Sequence, residues 1–313
     1  MIASLFSKSR PFNYVLLTFL LVLCYLLYQI KHNFSSPTEE FMVFGLIEKG
    51  FVLILLVASI FITNFIAKKN GLSKDSSFSF LFFFLFILFI PSVFDNVKLI
   101  LSSFFILLAL RRLISMKSMI TPKEKIFDAS FWIFMATLFH FWSILFIVIV
   151  FVSIILHVSN DYRNWIIPFI ALFTVFILFL FFSLIIDKQW ITIVWNQMQL
   201  DFEFYYFTNS IENLSLSIWV LFSVFFLFAM IFTLSKRPII LHASFQKILF
   251  SMIIAVLVYV FSSDKSNDLL IFGLMPLSIL ATAYIEQLRD AVAKEVITAS
   301  IAILGLLLFV FQL

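Results

Sequence analysis

The chain is a succession of apolar runs separated by short polar punctuation. The runs lie at 12–30, 42–67, 77–92, 96–113, 122–139, 142–158, 165–186, 215–234, 245–262, 269–287 and 294–312. A helix rises about 1.5 Å per residue and a bilayer's hydrocarbon core is about 30 Å thick, so roughly 20 apolar residues make one crossing. Most of the runs have that length. The pattern predicts an all-α, polytopic transmembrane helical bundle of about eleven spans, with residues 1–313 forming a single integral membrane domain. Connections are short, as at 91–95, and short connections make neighbouring helices antiparallel. The longest stretches outside the runs are 31–41, 111–121 and 187–214, and none reads as an appended soluble domain.

Residues 122–158 admit two readings, one helix of about 55 Å or a tight hairpin turning near 140–143. Charge separates them, because Lys and Arg concentrate on the cytoplasmic side of membrane proteins. With a hairpin, the N-terminus is inside, the C-terminus is outside, and 16 of the 21 basic residues share the cytoplasmic side; only Lys31, Lys49, Lys98, Lys188 and Lys265 lie outside. One long helix would split them 12 against 9. The hairpin is preferred. Thr121-Pro122-Lys123-Glu124 marks its start as a capping box with Pro at the first helical position. Ser36-Pro37-Thr38-Glu39 reads as a second capping box, opening a helix near residue 37 in the first outside loop.

Composition supports lipid as the solvent. The chain is 63% hydrophobic and 12% charged, with a mean hydropathy of +1.14, whereas soluble domains are about half apolar and a quarter charged. The net charge of +4 is accounted for by cytoplasmic loops, and nucleic acid is excluded as a partner. The single cysteine, Cys24, sits inside an apolar run, and no Cys/His spacing fits a metal. The segment 12–30 is too long for a signal h-region, and no small-residue cleavage site follows it. There are 46 Phe but only 5 Gly, so helices are expected to pack through large interlocking side chains rather than glycine contacts.

Candidate chemistry is sparse. The first outside loop holds His32, Glu39, Glu40 and Glu48. Its carboxylates either serve as a general base or cation contact for a lipid diphosphate, or cap a helix in a solvated loop. Asp128 lies about two turns into the hairpin; acids in spans are costly and often functional. It either pairs with Lys125 three residues earlier, or acts with Arg111 or Arg112. His140, in the outer turn beside Trp142, is a proton-transfer candidate or a plain turn residue. Arg111, Arg112, Lys117, Lys123 and Lys125 form the densest basic loop, either a phosphate-recognising patch or a topology determinant. Arg163 opens the following span. Glu286 to Arg289 and Asp290 to Lys294 have helical ion-pair spacing. Residues 187–214 carry Trp190, Trp195, Tyr205 and Tyr206 among acids. The spacing Trp190, Ile193, Val194, Met198 is helical, so part of this segment is expected to lie flat on the membrane and seat a lipid tail, a sugar or a partner subunit.

The segments Lys125-Ile126-Phe127-Asp128-Ala129-Ser130-Phe131, Leu138-Phe139-His140-Phe141-Trp142 and Asp161-Tyr162-Arg163-Asn164-Trp165-Ile166-Ile167-Pro168 resemble an uncharacterised family of multi-spanning Bacteroidota inner-membrane proteins; no activity is implied. The first 190 residues also resemble, in the order of elements, the transmembrane core of GT-C-type glycosyltransferases. That resemblance implies a polyprenyl-linked substrate, a catalytic base at Glu39 or Glu40, and a divalent cation there; no other cofactor is expected. The loop is short, lacks the usual Asp-containing motif, and is followed by no large outer domain. No Walker A, Gly-rich nucleotide loop or GxSxG occurs. The sequence leaves three classes: a bacterial inner-membrane envelope protein acting on a lipid-linked substrate, a non-enzymatic scaffold with membrane-protein partners, or a transporter. The last is weakened by the lack of deep acids other than Asp128 and of inverted repeats with broken helices.

Overall fold

The computed structural model describes residues 2–33, 42–185, 189–199, 210–263 and 265–313. These are helical throughout, with no strand among them. The helices are α1 (Ile2–Phe6), α2 (Pro11–Asn33), α3 (Met42–Lys69), α4 (Phe78–Ile87), α5 (Val97–Ile114), α6 (Pro122–Thr137), α7 (Ile147–His157), α8 (Arg163–Ile185), α9 (Gln189–Asn196), α10 (Ser210–Thr233), α11 (Ile239–Phe261), α12 (Ile271–Gln287) and α13 (Ala291–Gln312). Short 3-10 turns at Pro91–Asp95, Phe141–Phe146 and Asn267–Leu270 join several of them. Eight helices among the described residues are long and apolar enough to cross a membrane; Phe78–Ile87 and Phe141–His157 are shorter apolar helices.

Hydrogen bonds gather the loops into two ends. At the basic end Ser77 N donates to Phe6 O (3.0 Å) and Ser9 N to Asp75 O (3.1 Å). There Arg237 donates to Ala283 O (2.6 Å), and Ala3 N donates to the Glu295 carboxylate (2.9 Å). At the opposite end the Tyr25 hydroxyl donates to Lys49 O (2.9 Å), Asn267 Nδ2 to Glu212 O (3.0 Å) and Gln312 Nε2 to Phe89 O (3.4 Å).

The hairpin reading of 122–158 holds. Helix α6 leaves the basic end, the chain turns at His140 in an extended conformation (φ −146°, ψ 108°), and α7 returns against α6. Pro122 opens α6 as expected, but the Thr121 cap does not form. Thr121 is left-handed (φ 43°) and makes no side-chain cap bond, whereas a capping residue needs extended backbone to reach back to the helix N–H groups. The second expected capping box lies outside the described residues.

The core is a pair of helices with no polar side. Every residue of α4 is buried, and 94% of the α12 span is buried; the two pack against each other, with α2, α3, α5, α10, α11 and α13 around them. Phe80, Phe82, Phe86 and Phe89 are fully buried. Phe86 meets Phe226 of α10 edge-on at 6.4 Å, so large side chains do interlock as the composition predicts. Gly273 is an exception to the scarcity of glycine contacts. A Cβ there would lie 2.6 Å from Cη2 of Trp219, so α10 and α12 meet only because that position is bare.

Candidate functional site

Helices α6 and α8 run side by side and touch where Ala171 and Val175 meet Phe134. Ala171, fully buried, lets the backbones approach. Towards the end away from the basic loops, larger side chains hold the helices apart and leave a cavity of about 260 Å³. Phe131, Met135, Leu138 and Phe139 line it from α6 and the turn, and Leu178, Phe179, Phe182 and Ser183 from α8. Trp190 of α9 closes it. Ser183 is the sole hydroxyl in the lining, and it is turned back onto Leu180 O (3.1 Å). Apart from the indole N–H of Trp190, the lining therefore offers no polar partner to a ligand. Ligand sites for whole small molecules are usually about 300–1,000 Å³, so this volume suits a stretch of hydrocarbon chain.

Of the expected helical positions, Trp190, Ile193 and Val194 lie in α9, which ends at Asn196, short of Met198. Gln197, just past its end, accepts a hydrogen bond from Phe141 N (3.3 Å), which ties α9 to the hairpin turn. Of the aromatic candidates in this segment, Trp190 lines the cavity, whereas Trp195 is 70% exposed. Tyr205 and Tyr206 lie outside the described residues, as do Glu39 and Glu40.

His140 packs on Phe272 (5.6 Å), and Trp142 stacks on Phe261 (5.6 Å). Burial holds the His140 ring down to about 4, so it is neutral near pH 7 and carries no charge at the turn. At the end away from the basic loops lies a polar cluster that local spacing does not signal. Asp268 accepts from Ser92 Oγ (2.5 Å) and Asn96 Nδ2 (3.3 Å), and Gln29 Nε2 donates to Asp95 (2.8 Å). Ser92 and Asp268 are 176 residues apart, and no spacing signal joins them.

The remaining candidates lie at the basic end. Asp128 pairs with Arg112 (2.9 Å), and the expected local pair with Lys125 is not formed. Lys125 instead donates to Ser115 O (2.9 Å) and Ser118 Oγ (2.7 Å), because the last carbonyls of a helix lack intrahelical donors and attract cations. Arg111 lies over the Phe65 ring (5.0 Å) and Arg163 over Tyr162 (5.9 Å). Asp161 pairs with Lys123 (2.9 Å), whose hydrogen bond holds the carboxyl below its usual range. Glu286 accepts from Lys74 N (2.9 Å) and Ser76 Oγ (2.6 Å) rather than pairing along its helix. Asp290 caps α13 through Val292 N (2.9 Å).

The described candidates thus divide between two ends and do not converge on one catalytic constellation. Among the described residues, no group of three or more His, Cys, Asp and Glu is placed to hold a metal ion. No protein-family model, curated protein or solved structure matches the chain.

Proposed function

We propose that the protein seats the apolar chain of a lipid-linked substrate in the lateral cavity between α6, α8 and α9. The observation that carries this reading is the cavity itself: about 260 Å³, lined by Phe, Leu, Met and Trp side chains, with its one hydroxyl internally satisfied. Such a lining accepts hydrocarbon and rejects a headgroup, which would leave buried polar atoms unpaired. Trp190 belongs to a short amphipathic helix of the type that lies at a membrane interface. The headgroup of a seated lipid would therefore emerge beside α9.

The reading includes a topology. Eight long apolar helices are supplemented by α4 with its 3-10 extension, by α6, and by α7 with its 3-10 entry, giving eleven passes. The basic end faces the cytoplasm, following the concentration of Lys and Arg there, and the cavity then lies towards the outer face of a bacterial inner membrane. Glu39 and Glu40, outside the described residues, are the candidate bases if the protein is a GT-C-like transferase, with a divalent cation as their partner.

Native mass spectrometry of the gently solubilised protein tests the reading. The expected result is one stoichiometric polyprenyl-phosphate or polyprenyl-linked sugar on the wild type, lost from Ser183→Phe, whose ring fills the cavity. Bulk phospholipid alone, in equal amounts on both proteins, overturns it. Stoichiometric partner proteins in that preparation would favour a scaffold.

A further inference from the structure

Lys247 is fully buried, two turns into α11. Its ammonium donates to Leu113 O (2.5 Å), in the last turn of α5, near the carbonyl of Ser115 that Lys125 holds. Lys125 is itself only 9% exposed. Each ammonium carries three N–H groups. With one described acceptor for Lys247 and two for Lys125, three donors remain over. Neither lysine takes part in a described ion pair. Asp128 and Asp161 are committed elsewhere, to Arg112 and to Lys123.

Two further polar groups at this place are unused, a hydroxyl donor and an imidazole nitrogen that donates in one tautomer. The Ser244 hydroxyl and His157 Nδ1 are buried without a hydrogen-bond partner. Ser244 lies one turn before Lys247, on the same face of α11. Its idleness is unusual in this protein. The buried helical serines Ser59, Ser130, Ser153 and Ser223 all turn back onto the carbonyl four residues earlier. His157, at the end of α7, lies within electrostatic reach of both lysines.

A buried cation without a counter-charge is costly, and relief comes from an anion with good geometry. Spare donors and positive charge together fit an oxyanion that accepts several charge-assisted hydrogen bonds. We propose that Lys125, Lys247, Ser244 and His157 form a phosphate site at the basic end, with Arg112, 47% exposed, at its mouth. The ligand is a phosphate group, carried by an anionic lipid or free in the cytoplasm. The level of the site, at the loop that closes α5, is where headgroups of the basic face lie. It is independent of the chain-binding cavity at the other end.

The test uses the full chain in nanodiscs of phosphatidylcholine and phosphatidylglycerol, with lipids counted by native mass spectrometry, and in detergent with added inorganic phosphate, read by thermal stability. The expected result is one retained phosphatidylglycerol, or stabilisation by phosphate but not by chloride, weakened roughly ten- to hundredfold by Lys247→Met, the loss expected for a charged hydrogen bond. Retained lipid identifies a headgroup phosphate; stabilisation by phosphate alone identifies the free ion. Ser244→Ala, which removes one neutral donor, weakens either signal less and keeps the comparison available if Lys247→Met fails to fold. No retained lipid and no phosphate effect in the wild type overturns the site, as does undiminished binding by both variants.

Discussion

Gly273→Ala places a methyl group against the indole of Trp219. The new Cβ would lie 2.6 Å from Cη2 and 2.9 Å from Cζ2, with Met252 Cε at 3.6 Å on another side. Ordinary contact begins near 3.4 Å, so the indole must retreat by roughly 1 Å in an interior packed as densely as a crystal. Trp219 is 2% exposed and has a rigid ring, so the movement passes to the α10–α12 spacing. Overpacking of this kind costs about 1–3 kcal/mol. Replacing a helical glycine returns up to about 1 kcal/mol through backbone entropy. The expected net loss is about 1–2 kcal/mol, read as a lower unfolding midpoint in detergent. Trp219→Phe removes the offending ring atoms and opens a void of its own. The double variant should then be less destabilised than the sum of the singles, with a coupling of about 1 kcal/mol or more. A Gly273→Ala protein as stable as wild type, or strict additivity in the cycle, would refute the close contact and with it the packing of α10 on α12.

Four other outcomes are expected. Asp128→Asn should cost at most about 1 kcal/mol, since both partners of the Arg112 pair are about a third or more exposed and such pairs are weak; Lys125→Met should cost about 1–3 kcal/mol by removing two charge-assisted hydrogen bonds, to Ser115 O and Ser118 Oγ, and the reverse ranking in thermal unfolding would contradict those roles. On a Cys24→Ser background, single cysteines at Lys98 and Ser210 should react with an impermeant thiol reagent from outside and one at Asn160 only from inside; matching labels at 160 and 210 would break the eleven-pass topology. Because burial holds the folded His140 near 4 while the unfolded chain protonates near 6.5, stability should fall as pH drops from about 6.5 to 4, by up to about 1.4 kcal/mol per unit, and His140→Phe should flatten that slope in midpoints measured at pH 7 and 5. Glu39→Gln combined with Glu40→Gln should abolish the cellular function while leaving lipid retention intact, and an unchanged phenotype removes the transferase reading.

What the sequence discloses and what it hides follow from lipid being the solvent. Helix positions were legible because length and apolarity suffice to mark a segment that must satisfy its backbone internally. Thus α2, α3, α5 and α8 begin and end within three residues of the expected runs. The hairpin at His140 was legible through the charges flanking it. Neighbour relations were hidden. In water a helix displays its buried face as an apolar stripe, but in lipid the exposed face is apolar too, so nothing in α4, apolar but for Ser79, distinguishes a central helix from a peripheral one such as α8. For the same reason Trp190 could be expected at an interface, while its position over a cavity between α6 and α8 could not. The polar contacts were hidden by distance. The Lys247 contact with Leu113 spans 134 residues, and the clamp of Glu286 on the loop at Lys74 spans 212. Local spacing even misled at Asp128, where Lys125 lay at the right interval but was drawn to the Ser115 carbonyl at the end of α5 and to Ser118 Oγ. Those long-range polar pairings are the costly ones to bury in a bilayer, and they concentrate at the two ends of the bundle. Function in this protein is therefore to be sought at the ends, and in the lateral gap between α6 and α8 that their own side chains do not close.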